Sequence, residues 1–166
     1  MTVRQIRLWP DPVLQTVCDP VSEVTPAIET LAADMLDTMY DAPGRGLAAP
    51  QVGELLRLFV MDASWKDGKA DPQVFVNPKI LEFSDTRVSQ AEGCLSIPGI
   101  MTEISRPARI KVEWMGLTAG RYVQVFDGFA AACIQHEMDH LDGVVTFDRL
   151  SAAARDKAMT DYEVLQ

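Results

Sequence analysis

Apolar side chains recur at helical spacing over residues 27–40, where every third or fourth position is hydrophobic. The repeating positions are Ile28, Leu31, Met35 and Met39. Thr25-Pro26 before this segment and Pro43-Gly44 after it are typical of the start and the end of a helix. The pattern therefore predicts an N-terminal amphipathic helix with one apolar face turned toward a core.

Five short runs rich in apolar, aromatic or β-branched residues are distributed along the rest of the chain. They are residues 55–61, 74–76, 80–83, 110–114 and 122–126. Gly, Pro, Asp and Asn border these runs, and such residues interrupt regular structure because they favour turns. The composition and length of the runs are typical of β-strands.

A second helix is predicted over residues 129–141, since Asp127-Gly128 precedes the apolar segment and Gly143 follows it. Apolar side chains and histidines cover most of its circumference. The polar remainder is a narrow strip of Gln135, Asp139 and Asp142. A helix that is apolar on nearly every side is expected to be buried at the centre of a protein.

A third helix is predicted over residues 151–165, with a thin apolar face, and we expect it to lie at the surface. The order of elements is then a helix, several strands, a buried helix and a terminal helix. This order predicts the α+β class. A chain of 166 residues is long enough for one core, so we expect a single domain spanning residues 1–166.

Composition narrows the class of protein further. Hydrophobic residues at 48% and charged residues at 23% predict a soluble globular chain without a membrane span. The net charge of −9 and the scattered basic residues argue against direct binding to nucleic acid. Three cysteines, an odd number, do not form a disulfide framework, and no secretion signal follows Arg4 and Arg7. We therefore expect a cytoplasmic protein.

Both histidines of the chain, His136 and His140, lie on the predicted buried helix. Their four-residue separation places the two imidazoles on one helical face, about 5 to 6 Å apart at Cβ. This arrangement suits a divalent transition metal, while Glu137 points around the helix to a position where it can transfer protons. A chance motif on a solvated helix is the alternative, but burial would then leave these polar groups without partners. The motif indicates a metal-dependent hydrolase.

A catalytic metal site of this kind usually has three protein ligands and one open position, so a third ligand must come from elsewhere. Cys94 is the favoured candidate, because Gly93 lets the backbone approach a site closely. Cys133 lies one turn before His136 and fits ordinary packing. Cys18 lies in a proline-flanked N-terminal loop.

The segment Gly44-Arg45-Gly46-Leu47-Ala48-Ala49-Pro50-Gln51 is too poor in large side chains to be ordinary core. Either something approaches its backbone closely or it forms a tight turn. It lacks the residues of a phosphate-binding loop and the spacing of a dinucleotide site. Gln51 is its polar group of interest, since an amide can donate a hydrogen bond to an oxyanion without titrating.

Three segments in order resemble the motifs of peptide deformylases: Gly44 to Gln51, then Glu92-Gly93-Cys94-Leu95-Ser96, then Gln135-His136-Glu137-Met138-Asp139-His140. The resemblance extends over nearly the whole chain. It implies an α+β fold in which antiparallel β-sheets wrap around the central helix that carries the histidines, flanked by an N-terminal and a C-terminal helix. It also implies a monomer.

The resemblance further implies an activity and a metal. The substrate would be the N-formylmethionyl end of a nascent polypeptide, and the products formate and a free amino terminus. The metal ligands would be Cys94, His136 and His140, and the metal ferrous iron, for which zinc, nickel or cobalt can substitute. A Cys-His-His set does not by itself select iron over zinc, so iron rests on the resemblance.

The resemblance also implies roles for other residues. The Gln51 amide and the Leu95 backbone N–H would stabilise the oxyanion, and Glu137 would move the proton. The Gly46 backbone would pair with the extended peptide. Phe129 and Cys133 are assigned to the wall of the substrate pocket.

Two positions depart from better-known members of the family, namely Arg45 and Gln90, where apolar residues are usual. We hypothesise that the Arg45 stem covers apolar surface at the pocket mouth and that its head meets acidic peptide positions. The terminal segment lacks a basic face of the kind used for ribosome docking, so transient contact with the ribosome is left open.

The sequence leaves alternatives open for the role of Glu92 and for the activity. Glu92 could accept a hydrogen bond from a ligand imidazole or pair with Arg106, or it could be a solvated loop carboxylate. An endopeptidase with the same histidine motif is the nearest rival activity, and it would use a third ligand other than Cys94.

Overall fold

The computed structural model describes residues 2–118 and 120–166, which include three α-helices and seven strands. The helices are α1 (Pro26–Asp41), α2 (Gly128–Leu141) and α3 (Ala152–Leu165). The strands are β1 (Gly46–Ala48), β2 (Leu58–Met61), β3 (Gln73–Phe83), β4 (Arg87–Cys94), β5 (Ile97–Pro107), β6 (Arg109–Met115) and β7 (Arg121–Asp127). The predicted α+β class is confirmed.

The strands form two antiparallel sheets. The larger sheet has the order β1-β2-β3-β6-β7, and β4 and β5 form a separate two-stranded sheet. Aromatic rings fill the inner face of the larger sheet, where Phe75 stacks on Phe59 at 4.5 Å and contacts Trp114 at 4.6 Å between ring centroids. Side chains of α2 complete this cluster.

Helix α1 begins and ends as its sequence predicts. The Thr25 hydroxyl accepts a hydrogen bond from the Ile28 backbone N–H, which satisfies a free donor at the helix start. Pro26 fits the first turn because its missing N–H is not needed there. The apolar face, including Met35 and Met39, is buried against β1 and β2.

The strand predictions were incomplete. The two runs at 74–76 and 80–83 belong to one irregular strand, β3, whose register shifts beside Asn77. The hairpin of β4 and β5 was missed, because glycines, prolines and charged residues interrupt its alternation and much of it is exposed. This hairpin carries Cys94 at its turn.

Helix α2 packs against β1, β2, β6 and β7 of the larger sheet and against β5 of the smaller one. It is buried along most of its length. Of the three residues on the predicted polar strip, Gln135 and Asp139 are buried and Asp142 is exposed. The Gln135 amide donates to the Pro107 backbone carbonyl, which explains how a polar side chain is accommodated there.

Helix α3 packs against β5, and most of its surface is exposed, as predicted. Tyr162 is its buried anchor, and its hydroxyl donates to the Trp9 carbonyl at 3.0 Å. Within residues 2–118 and 120–166, no helix is both long and apolar enough to cross a membrane.

Candidate metal centre and substrate cleft

The structure brings Cys94, His136 and His140 together, with their ligand atoms all within 4.8 Å of one another. The Cys94 sulfur lies 3.4 Å from His140 Nε2, and the two Nε2 atoms of the histidines lie 3.2 Å apart. The histidines share one face of α2 because they are four residues apart. Cys94 reaches them from the end of β4, where the register shifts after Gly93.

This donor set fits a transition metal. One sulfur and two imidazole nitrogens converge on one point, which is the ligand chemistry of zinc and iron sites. The structure describes no other group of three or more such residues with this geometry in residues 2–118 and 120–166. Three protein ligands also leave a coordination position for water or substrate.

Glu92 and Arg106 orient the His136 ring from its Nδ1 side, away from the ligand cluster. Glu92 Oε1 lies 3.1 Å from His136 Nδ1, so the Nε2 atom faces the cluster. The Arg106 guanidinium donates two hydrogen bonds to Glu92, at 2.6 and 2.9 Å. The prediction that Glu92 is a solvated loop carboxylate is wrong. Glu92 both contacts the ligand imidazole and pairs with Arg106.

Asp139 extends this network to the end of the helix. It accepts a hydrogen bond from Arg106 at 3.0 Å and two from Arg149, at 3.0 and 2.6 Å. The sequence reasoning missed Arg149 and assigned Asp139 to the polar strip. Asp139 follows His136 by three residues, and this spacing indicates that the two side chains lie on the same side of the helix.

The charges of the cluster are strongly coupled. Burial lowers the pKa of His140 well below its ordinary value, and the nearby His136 lowers it further. Burial also opposes protonation of His136, but hydrogen bonds with Cys94 and Glu92 outweigh it and raise its pKa well above the ordinary value. The site therefore does not hold two protonated imidazoles.

Gln51 is buried beside the cluster in a short 3-10 helix, Ala49–Val52. Its side-chain carbonyl oxygen accepts a hydrogen bond from the Ala48 backbone N–H at 2.9 Å, which orients the side-chain amide. The Nε2 atom then lies 3.0 Å from Ser96 Oγ and 3.7 Å from Cys94 Sγ. Ser96, which holds Gln51 in place, was not singled out from the sequence.

Glu137 is buried on the other side of the cluster, and its Oε2 atom has no hydrogen-bond partner in the described part of the chain. Burial raises the pKa of its carboxyl to about 7, against the opposing charge of His136. A side chain on Gly46 would place Cβ 2.7 Å from Glu137 Oε1 and 2.8 Å from Cys133 Sγ. The close approach predicted for this glycine segment is therefore an approach to the site helix.

A cleft of about 810 Å³ opens over these groups, a size suited to a small molecule or the end of a peptide. Gln51, Cys94, His136 and Glu137 line it, together with further predicted site residues: Arg45, Gly46, Leu95, Phe129 and Cys133. All ten predicted site residues thus belong to the cluster or the cleft, since His140 completes the cluster.

Arg45 and Phe129 form one side of the cleft mouth. The guanidinium carbon of Arg45 lies 4.8 Å from the centre of the Phe129 ring, within the range of a cation–π contact. The Arg45 guanidinium therefore covers an aromatic surface, where the sequence predicted that the stem would do so. Cys133 lies deeper, and burial raises the pKa of its thiol well above the ordinary value, so the thiol stays protonated.

Known peptide deformylases match this chain over nearly its full length. The family model described as Polypeptide deformylase matches residues 3–156. A peptide deformylase of Afipia carboxidovorans is 46% identical over 162 residues, 98% of this chain and 95% of the relative. One of Brucella suis is 43% identical over 165 residues, 99% of this chain and 94% of the relative.

Solved structures show the same relation. The peptide deformylase from Ehrlichia chaffeensis in complex with actinonin has a TM-score of 0.93 and 36% identity, covering 100% of this chain and 99% of that one. One from Legionella pneumophila has a TM-score of 0.93 and 36% identity, covering 99% and 95%. With matching motifs, fold and length, the chain belongs to the polypeptide deformylase family.

Proposed function

We propose that this chain is a metal-dependent hydrolase that removes the formyl group from the initiator methionine of new polypeptides and releases formate. The observation that carries the proposal is the Cys94-His136-His140 cluster at the floor of a cleft, in a chain of the polypeptide deformylase family. A nascent N-formylmethionyl peptide is the substrate. Residues 1–166 would act as one catalytic domain.

His136 and His140 on α2, the central helix around which the sheets are arranged, would hold the metal together with Cys94 at the end of β4. When bound, the metal supplies a Lewis acid that lowers the pKa of water and polarises a carbonyl oxygen. We assign ferrous iron, with zinc, nickel or cobalt as substitutes, on the basis of the sequence resemblance. The hydrogen bond that Glu92 accepts from His136 Nδ1 supports this role, because a carboxylate behind an imidazole fixes its orientation.

The Gln51 amide and the Leu95 backbone N–H would donate hydrogen bonds to the oxygen of the formyl group as it becomes negative. Gln51 is already oriented by Ala48 and Ser96, so it needs little reorganisation during the reaction. Leu95 occupies the turn between β4 and β5 and lines the same cleft. An aimed donor of this kind contributes about 3 to 4 kcal/mol to the transition state.

Glu137 would take a proton from the attacking water and return it to the leaving amine. The unpartnered Oε2 atom and its place in the cleft support this role, because a proton carrier needs a free oxygen that faces the substrate. Glu137→Gln keeps the shape and removes the basic group. It is therefore the decisive substitution for this step.

The peptide would bind as an added strand beside β1. This strand ends the larger sheet, and Gly46 lines the cleft, so an extended peptide can use its backbone groups. Backbone pairing accepts many sequences beyond the first residue. Phe129 and Cys133 would form part of the wall of the methionine pocket.

Arg45 would favour acidic residues in the peptide. Its guanidinium lies over Phe129 while its Nε atom has no hydrogen-bond partner within the residues the structure describes. We expect faster turnover of formyl-Met peptides with acidic residues than of basic ones, and Arg45→Ala should remove the difference. Equal rates on both peptides in the unchanged protein would contradict this assignment.

The central test is formate release by protein purified without oxygen. With iron bound, the protein should release formate from formyl-Met-Ala-Ser, and Glu137→Gln should lower the rate by about 10²-fold or more while keeping the metal. Glu163→Gln, a change of an exposed glutamate on α3, is the matched control and should be neutral. No release by the iron-loaded protein would refute the proposal.

The endopeptidase alternative is separated by Cys94→Ala. If Cys94 is a ligand, this variant should lose metal and formate release together. Retained metal with cleavage of internal peptide bonds would favour the endopeptidase instead.

A further inference from the structure

Strand β7 forms one end of the larger sheet, and its outer edge is open. Within residues 2–118 and 120–166 the strand pairs with β6 alone. All its residues except Phe126 are exposed, including Val123 at 50% and Val125 at 48%. An edge of this kind presents unused backbone groups to a partner.

The backbone register shows which groups face outward. The Gly116 N–H donates to the Gly120 carbonyl at 2.9 Å, so these two residues are a hydrogen-bonded pair in the turn that joins β6 to β7. Such pairs alternate along an antiparallel ladder, and the register of β6 and β7 continues without a bulge. Residues 122, 124 and 126 therefore face β6, and residues 121, 123, 125 and 127 turn their N–H and C=O groups to the open edge.

Proteins usually protect such edges. Common devices are a lysine or proline on the strand, a bulge, or a very short strand. The seven residues of β7, Arg-Tyr-Val-Gln-Val-Phe-Asp, contain neither lysine nor proline, and the register is regular throughout. Exposed valines on an unprotected strand favour pairing with another strand.

The sequence of β7 is complementary to itself when it is reversed. If two copies pair antiparallel with Gln124 on the two-fold axis, Val123 lies opposite Val125. The ends of the strand then bring Arg121, which within one chain also pairs with Glu113 of β6, opposite Asp127. The outward backbone groups fall into hydrogen-bonded pairs in this same register, because residues 121, 123, 125 and 127 pair among themselves.

The side chains agree with this register. Residues alternate between the two faces of a strand, so Arg121, Val123, Val125 and Asp127 share one face. Opposite charges and branched apolar residues placed directly across from each other both stabilise a strand pair. At the start of α2, Asp127 makes no side-chain capping bond, so its carboxylate is not committed to the helix.

We propose that β7 is a self-association surface, through which two copies of this chain join their larger sheets antiparallel about Gln124. The surface is small, so the dimer is reversible and forms at high micromolar concentration. The sequence resemblance implied a monomer, which is the state expected under dilute conditions. The cleft contains no residue of β7, so this inference is independent of the proposed reaction.

The test is a pair of charge exchanges measured by sedimentation equilibrium and native mass spectrometry. The unchanged protein should move from monomer toward dimer between about 10 µM and about 1 mM. Arg121→Asp alone and Asp127→Arg alone should each raise the dimer dissociation constant at least about tenfold, since like charges then face each other.

An equimolar mixture of Arg121→Asp and Asp127→Arg should restore association as a heterodimer, because both opposed pairs again have opposite charges. A general loss of structure would not produce this recovery. A monomeric unchanged protein at about 1 mM, or a mixture that associates no better than either variant, would overturn the proposal.

Val123→Lys provides a second measurement if a charge variant does not fold. It places two lysines near the axis and should also raise the dissociation constant at least about tenfold. Val88→Lys, which changes a similarly exposed valine on β4, is the control and should leave the dissociation constant unchanged. Equal effects of the two changes would overturn the assigned surface.

Discussion

Removal of the Arg106 guanidinium should destabilise this protein far more than removal of an arginine from a surface ion pair. The Arg106 side chain is 6% exposed, and its partners Glu92 and Asp139 are 9% and 11% exposed. Its three hydrogen bonds to these carboxylates measure 2.6, 2.9 and 3.0 Å. Loss of the cation leaves Glu92 buried without its compensating arginine.

The magnitude follows from what remains after the change. Loss of one partner from a buried ion pair costs about 3 to 5 kcal/mol in the free energy of unfolding. Asp139 keeps its two bonds from Arg149, whereas Glu92 keeps only its contact with His136, so the poorly compensated charge is mainly that of Glu92. We therefore expect the lower end, about 3 kcal/mol, for Arg106→Leu. For a domain of this size the loss lowers Tm by roughly 6 to 12 °C.

The assay is urea unfolding of the metal-free proteins at neutral pH. The control is Arg155→Leu, because Arg155 pairs with Asp148 at 3.2 Å while the two side chains are 42% and 33% exposed. That change should cost at most about 1 kcal/mol. The reasoning is refuted if the two substitutions cost the same.

Two further measurements separate the charge effect from simple loss of packing. Adding Glu92→Gln to Arg106→Leu should recover part of the lost stability, since it removes the uncompensated carboxylate. Metal affinity should also fall in Arg106→Leu, by about 10-fold to 100-fold, because Glu92 no longer holds the His136 ring firmly. Unchanged metal affinity would show that Arg106 does not act through His136.

Three other predictions concern the cleft, the metal and the acid stability. Gly46→Ala should lower the kcat of formate release by roughly 100-fold, because the added Cβ would meet Glu137 Oε1 at 2.7 Å and displace it; a kcat within twofold of the unchanged protein would contradict this. A metal chelator should abolish formate release and lower Tm, and re-addition of ferrous iron should restore both; activity that survives complete metal removal would contradict the assigned centre. Burial raises the pKa of the Asp34 carboxyl, but hydrogen bonds from Arg4 and Thr2 outweigh it and hold that pKa below its ordinary value. The bonds therefore stabilise the fold above about pH 4, and their contribution disappears as the pH falls through the lowered pKa. Asp34→Asn should be less stable than the unchanged protein at pH 6, with the difference vanishing in acid, and urea titrations at several pH values check this.

The sequence alone determined the features that depend on neighbours along the chain. Helix α1 was predicted to within a residue at each end, because its caps and its apolar face are local properties. The pairing of His136 with His140 on one face follows in the same way from the helical period. Local pattern was insufficient for β4 and β5, whose strands are held by pairing with each other.

Only the tertiary structure decided how distant segments meet. Gln51 and Cys94 lie far apart in the chain, and the fold brings the Gln51 amide to 3.7 Å from the Cys94 sulfur. The state of Glu92 was open until the structure showed its carboxylate bound between His136 and Arg106. Burial and partners of a charged side chain depend on which elements pack over it, and a local sequence pattern does not contain that information.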